Sequence, residues 1–323
     1  DKPMNVFVTG GTGYIGSTFI SRLTGEKEIL KVVALARNTE KARDLATRVE
    51  FREKLEFADG DLRHCDYDFG NIDVIIHAAT VHDMAWVDTN IAEAIDINVG
   101  GTLRIVQAAR RFKVPYLVFF SSHSVYGKQD TMPVREDFTL RPEIPKAMTK
   151  YAGEVIVRSL ANCSTKFVIL RPEHVYGVGV LPHWHEFTVK YTELSCNGKN
   201  LPIYGDGNQK VDLVHVRDVC DCIYKLLMSP EDAWNETYNV GGGRVISINE
   251  LADLYIQAAV DVGLKAPDRS YVEAESYCEA RGFRLPWLDI SKAREKLGWT
   301  PSTSIEEGVK ELVQAAFDSH SNC

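Results

Sequence analysis

VFVTGGTGYIGSTFISRL, residues 6–23, decides the fold. A β-branched apolar run breaks into a glycine-rich turn, and the turn runs directly into an amphipathic helix pattern. Gly10, Gly13 and Gly16 recur at GxxGxxG spacing. Glycine permits the tight turn and lets backbone N–H groups approach a pyrophosphate at a helix N-terminus, where the peptide dipoles favour negative charge. A glycine triplet alone says little. Between a first strand and a first helix it predicts a dinucleotide cradle.

Working outward, strand-like runs recur at 31–36, 73–79, 116–122 and 166–172, with a weaker one at 55–61. Helical patterns lie between them, notably 91–112 and 146–161. Strands alternating with helices predict an α/β fold, a doubly wound parallel sheet of Rossmann type built from right-handed crossovers. The continuous apolar runs DVII and YLVFF suit central strands buried on both faces. Beyond about residue 172 the rhythm loosens. The expected division is a dinucleotide-binding domain over 1–172 and a smaller substrate-binding lobe over 173–323, with some late strands and helices returning to the first domain.

The chain has 323 residues and a formal net charge of −8. That balance argues against nucleic acid or an anionic membrane surface as partner, since both need a basic footprint. No apolar run reaches the roughly 18 residues of a membrane span. Met4 reads as standing near the natural start, with no room before the first strand for a secretory signal. The seven cysteines lack CxxC spacing and fit reduced thiols in a cytoplasmic setting. No metal ion is expected, because His183 and His185 lack a nearby carboxylate pair.

The second strand ends in ALARN, with no carboxylate for a ribose 2′-hydroxyl, Ala36 at its tip and Arg37 next, either a phosphate ligand or a solvated surface charge. A guanidinium suits a 2′-phosphate, so NADP is expected over NAD. With TGGTGYIG, GDL, HAA and SVYG in order, the chain resembles the extended short-chain dehydrogenase/reductases, the NAD-dependent epimerase/dehydratase family, over nearly its whole length. The resemblance implies a cofactor site from Gly10, Gly13, Tyr14, Ile15, Gly16, Arg37, Asp61, Leu62, Ala78, Ala79, Asn98 and Lys150. Pro172, His174 and Val175 join it from RPEHVYGVG (171–179), which is similar to the family turn beside the nicotinamide. It further implies a homodimer through the helices at 91–112 and 146–161.

In such enzymes a serine or threonine bonds the reacting oxygen, here Ser122. A YxxxK pair follows on a helix, the tyrosine as acid–base and the lysine at the nicotinamide ribose. This chain keeps Lys150 but has Lys146 where the tyrosine belongs. Tyr151 is five positions away and faces another side of the helix, so it is read as a packing residue. Lys146 and Lys150 share a face, and two ammonium groups there should ease the loss of one proton. An amine so tuned can serve as acid, base or nucleophile; equally, Lys146 can bind an anionic group or simply meet solvent.

His82, His123, Ser124, Trp184, Lys210 and Arg281 complete the candidate substrate site. Strand alternation is expected to turn His123 away from Ser122. Val211 stands where nucleotide-sugar members keep an arginine for the diphosphate. The expectation is hydride transfer at a hydroxyl or keto group of a small molecule, by epimerase, dehydratase or ketoreductase chemistry, with altered acid–base chemistry at Lys146. The alternative is a dinucleotide-binding protein without redox turnover, either a sensor or a lyase/isomerase using Lys146.

Overall fold

The computed structural model describes residues 3–64, 67–81, 83–182, 187–273 and 287–321. Strands β1 (Met4–Thr9), β2 (Ile29–Ala36), β3 (Leu55–Asp59), β4 (Val74–His77), β5 (Tyr116–Phe120) and β6 (Lys166–Pro172) follow one another along the first half. The second half adds β7 (His174–Tyr176), β8 (Leu201–Tyr204), β9 (Lys210–His215), β10 (Glu236–Val240), β11 (Val245–Ser247) and β12 (Arg269–Val272). Helices are α1 (Tyr14–Thr24), α2 (Thr39–Arg48), α3 (Met84–Thr89), α4 (Ile91–Ile95), α5 (Gly101–Arg111) and α6 (Pro145–Arg158). They continue with α7 (Phe187–Cys196), α8 (Val216–Leu227), α9 (Ile248–Asp261), α10 (Ser291–Leu297) and α11 (Ile305–Ser321).

Seven strands form one parallel sheet in the order β10-β6-β5-β4-β1-β2-β3. Side chains alternate across it as a period of two requires. Val6, Val8, Val74, Ile76, Val118 and Phe120 point to one face, where α1, α8 and α10 cover them. Phe7, Ile75, Leu117 and Phe119 point to the other, against α5 and α6. A third apolar cluster is formed by β8, β9, α9 and α11. The strand order reverses between β1 and β4, and a ligand belongs in the crevice at the carboxyl ends there.

Two expectations about elements change. The single helix foreseen over 91–112 is α4 and α5 joined by a widened π-helical turn, Asp96–Gly100, that places Asn98. The strand foreseen over 116–122 ends at Phe120, and Ser122 then caps a short 3-10 turn, His123–Tyr126. Among the described residues no helix is long and apolar enough to cross a membrane.

Candidate functional site

At the switch point the glycines do what their spacing predicts. Gly10 has φ +74°, the left-handed region that disfavours side chains, and a Cβ there would stand 2.7 Å from the Ala79 nitrogen. A Cβ on Gly16 would run into the Gly10 carbonyl. Gly13 donates its N–H to the Gly10 oxygen at 2.9 Å and is the N-cap of α1, which has no side-chain cap. The helix therefore opens on backbone donors facing a cleft of ≈ 250 Å³. A pyrophosphate fits this cradle, which any side chain at Gly10 or Gly16 would fill.

Of the residues singled out from the sequence, Gly10, Gly13, Tyr14, Ile15, Gly16, Ala78, Ala79, Ser122, His123, Lys146, Lys150, Pro172, His174 and Val175 line this one cleft. Thr80, Phe120, Ser121 and Glu173 line it too and had not been singled out. The Tyr14 hydroxyl donates to the Gly177 carbonyl at 2.7 Å. Asn98 stands behind the wall, its amide accepting from the Val81 N–H at 2.8 Å and donating to the Val81 carbonyl at 3.0 Å. Leu62 is buried in the core under α5. Ser124 donates to Ser122 Oγ at 2.9 Å. Lys210 lies outside the cleft lining and pairs with Glu250 at 3.6 Å. His82, Trp184 and Arg281 lie outside the described residues.

Beyond the tip of β2, Arg37 approaches Asp61 at 3.6 Å with two-thirds of its side chain exposed. Asp61 is gripped by a residue that the sequence reading overlooked. Arg63 Nε donates to Asp61 Oδ1 at 2.9 Å and Nη2 to Oδ2 at 3.1 Å. That fork, countered only in part by burial, holds the Asp61 carboxyl down at about 2.

The acid–base wall is carried by α6, which starts with Pro145 in its first turn. Lys150 is 5% exposed, and its Nζ donates to the Phe120 carbonyl at 2.6 Å. Burial first, and the charge of Lys146 second, push its amine down to about 7, against a smaller upward pull from Glu154. Glu154 anchors the helix to β6. It accepts from Arg171 Nε at 2.9 Å and Nη2 at 2.7 Å, both side chains being buried. Tyr151 is not among the residues that line the cleft, as its turn of the helix implies. It is 39% exposed, because about 100° per residue turns position 151 off the Lys150 face and outward.

The opposite wall corrects the reading of His123. With β5 over at Phe120, strand alternation no longer governs residue 123, and His123 lines the cleft with Ser122. The register of β5 against β6, Phe120 opposite Leu170, carries His123 to the level of Glu173. Pairing of β7 with β9, His174 opposite Leu213, then brings in Asp212. His174 Nδ1 lies 2.9 Å from Glu173 Oε2, and His123 Nδ1 lies 3.4 Å from the same oxygen and 3.2 Å from the Pro172 carbonyl. The rings stack with centroids 4.8 Å apart. Glu173 is 3% and Asp212 2% exposed; burial first, then the charge of Glu173, raises Asp212 to about 7.

His123, Glu173 and His174 each offer a ligand atom within 4.8 Å of the others. The Pro172 carbonyl and the Glu173 carboxylate are acceptors only, so each Nδ1 carries the proton of its bond. In that state the three side chains are joined as an acid–base cluster, although their ligand atoms also stand close enough together to hold an ion. The sequence signal for it was slight: one acid beside one histidine inside a turn motif.

Residues 6–241 match the model of the NAD dependent epimerase/dehydratase family. The chain is 32% identical over 325 residues to the UDP-glucose 4-epimerase of Mycolicibacterium smegmatis, covering 96% of this chain and 98% of that one. A solved structure of MoeE5 in complex with UDP-glucuronic acid and NAD shares 29% identity with a TM-score of 0.80, covering 98% of this chain and 99% of that one. UDP-glucuronic acid 4-epimerase from Bacillus cereus, solved with UDP-glucuronic acid and NAD, has a TM-score of 0.86 at 23% identity, over 98% of this chain and 100% of that one, a likeness of fold. The chain belongs to the NAD-dependent epimerase/dehydratase family of extended short-chain dehydrogenase/reductase enzymes.

Proposed function

We propose that the protein oxidises a carbinol of a nucleotide-diphosphate sugar and returns the hydride to the same substrate, as a 4-epimerase or the first half of a dehydratase does. The observation that carries this reading is the shared cleft: the glycine cradle, Ser122, Lys146 and Lys150 all face one space. The relatives' UDP-sugars supply the substrate class. A nicotinamide dinucleotide, when bound, supplies the hydride acceptor and donor. Ser122 holds the reacting oxygen, and Lys150 holds the nicotinamide ribose. Lys146 brings an amine to the tyrosine position, where its cation can stabilise an oxyanion as the hydroxyl loses its proton.

Val211 is buried in β9, so the diphosphate needs cations other than an arginine at that position. Arg37 at the cradle's far end supports a preference for NADP over NAD. The exposed apolar side chains Ile91, Ile95, Leu103, Tyr151 and Val155 lie along α4, α5 and α6 and support a homodimer through those helices. The first test is mass identification of nucleotide released on denaturation, followed by incubation with nucleotide sugars and NMR of the products. Retained dinucleotide and a C4 epimer or 4-keto sugar are expected. A protein that neither retains nor binds NAD or NADP would sink the reading.

A second reading, dinucleotide binding without turnover, draws on Lys146 alone. It predicts stoichiometric cofactor and no reduced nicotinamide with any sugar nucleotide.

A further inference from the structure

An oxidation of a carbinol needs a group to take the hydroxyl proton, and a protonated lysine at position 146 cannot. Lys150 is committed by geometry, its Nζ donating to the Phe120 carbonyl at 2.6 Å in near-complete burial. The opposite wall holds a better-placed base. We propose that His174, oriented by Glu173, is the proton acceptor and donor of this cleft. This rests on the function proposed above and deepens it.

Three observations carry the assignment. First, the tautomer is fixed: Glu173 Oε2 accepts from the His174 backbone N–H at 3.0 Å and from Nδ1 at 2.9 Å, so the basic lone pair is on Nε2. Second, the ring is held from two sides, stacked on His123 at 4.8 Å and 35° and meeting the Phe187 ring at 6.0 Å and 70°. Third, His174 and Ser122 line the same cleft, from β7 and from the turn after β5, and His123, the neighbour of Ser122, packs its ring on that of His174.

The carbinol hydrogen would leave carbon with the C–H electron pair, as hydride, to a dinucleotide bound in the cradle, which leaves the chain only the O–H proton to handle. That O–H bond breaks, an N–H bond forms at His174 Nε2, and the substrate becomes a ketone. The new imidazolium lies beside the buried Glu173 carboxylate, a charge-assisted bond that stabilises it. On the return the imidazolium gives its proton back to the ketone oxygen. Glu173 acts through His174 and is a positioning residue. Among the described residues, Asp212 from β9, His123 from the turn after β5, and Lys146 and Lys150 from α6 are titratable groups around the pair.

The test uses the full chain with its dinucleotide. Nitrogen-15 histidine NMR of the resting protein is expected to show His174 as the Nδ1–H tautomer, and Glu173→Gln to shift that balance. In single turnover with a nucleotide sugar, at saturating dinucleotide and read by reduced-nicotinamide absorbance, His174→Gln is expected to slow reduction by about 100-fold to 10,000-fold. Glu173→Gln should give a smaller loss and a displaced pH profile. An Nε2–H tautomer overturns the proposal. So does reduction within about threefold of wild type in His174→Gln, or loss on chelation that Zn²⁺ restores. If no sugar nucleotide reduces the wild-type cofactor, the functional reading fails, while the tautomer measurement still decides the pairing of Glu173 with His174.

Discussion

Lys150→Met should make the cofactor-free protein more stable relative to wild type at low pH than at high pH. The amine's ordinary value of 10.5 falls to about 7 in the folded chain. At about 1.4 kcal/mol per unit, folding carries a penalty of roughly 5 kcal/mol wherever both states would be protonated. The folded pKa is depressed, so between the two values the unfolded chain binds the extra proton and stability rises with pH. The penalty is full below about pH 7 and has shrunk to roughly 2 kcal/mol by about pH 9. Methionine removes it, but also removes the donor to the Phe120 carbonyl, a cost of about 1–3 kcal/mol that does not vary with pH. The informative quantity is therefore the change in the gap. Urea unfolding at about pH 6 and about pH 9 should show the advantage of Lys150→Met over wild type narrowing by roughly 2–3 kcal/mol at the higher pH. A gap that stays constant, or widens with pH, would mean that burial and the Lys146 charge do not depress the Lys150 amine on folding.

Gly16→Ala should abolish dinucleotide binding in fluorescence titration, since its methyl group meets the Gly10 carbonyl and forces the turn open. Arg37→Ala should lower NADP affinity by about tenfold, worth about 1.4 kcal/mol, and leave NAD affinity within about twofold; equal losses would mean that Arg37 does not meet the 2′-phosphate. Lys146→Ala should slow single-turnover reduction by about tenfold to 100-fold, and Lys146→Tyr should retain more of it; an unchanged rate in Lys146→Ala ends any role for the amine. Val155→Glu, on the outer face of α6 and 54% exposed, should convert a homodimer into monomers by light scattering without loss of fold, whereas an unshifted mass would remove α6 from the interface.

The parts of the fold legible in the sequence are those set by short-range rules. Gly10 and Gly16 are forced by sterics within a seven-residue turn, and DVII or YLVFF announce burial by composition alone. Lys150 and Ser122 were legible because each sits at fixed spacing inside a motif. The Glu173–His174–Asp212 cluster has no such local signature. It exists because β5 pairs with β6 and β7 with β9, which sets residue 123 beside 173 and residue 174 beside 213. His123 was misjudged for the same reason: alternation was extended two residues past the strand's last hydrogen-bonded position. Arg63 escaped because its meaning comes from Asp61, two residues away, and a turn that folds its guanidinium back.

The change at position 146 is intelligible once the anchors of α6 are separated from its chemistry. The helix is fixed by Glu154 to Arg171, by Arg171 Nη1 donating to the Tyr126 hydroxyl at 2.8 Å, and by Lys150 to Phe120. All of these lie at or beyond the helix's second turn. Position 146 is in the first turn and faces the cleft, so no link in that scaffold depends on a phenol there. A tyrosine can therefore be lost without disturbing the cradle or the lysine behind it, and the acid–base function is then free to move across the cleft. A buried glutamate beside a histidine is costly to keep unless the pair is bonded, and here both bonds converge on one carboxylate oxygen. The wall opposite α6 is thus tied together by bonds within residues 173–174, and the proposed displacement of the proton relay would draw on that order.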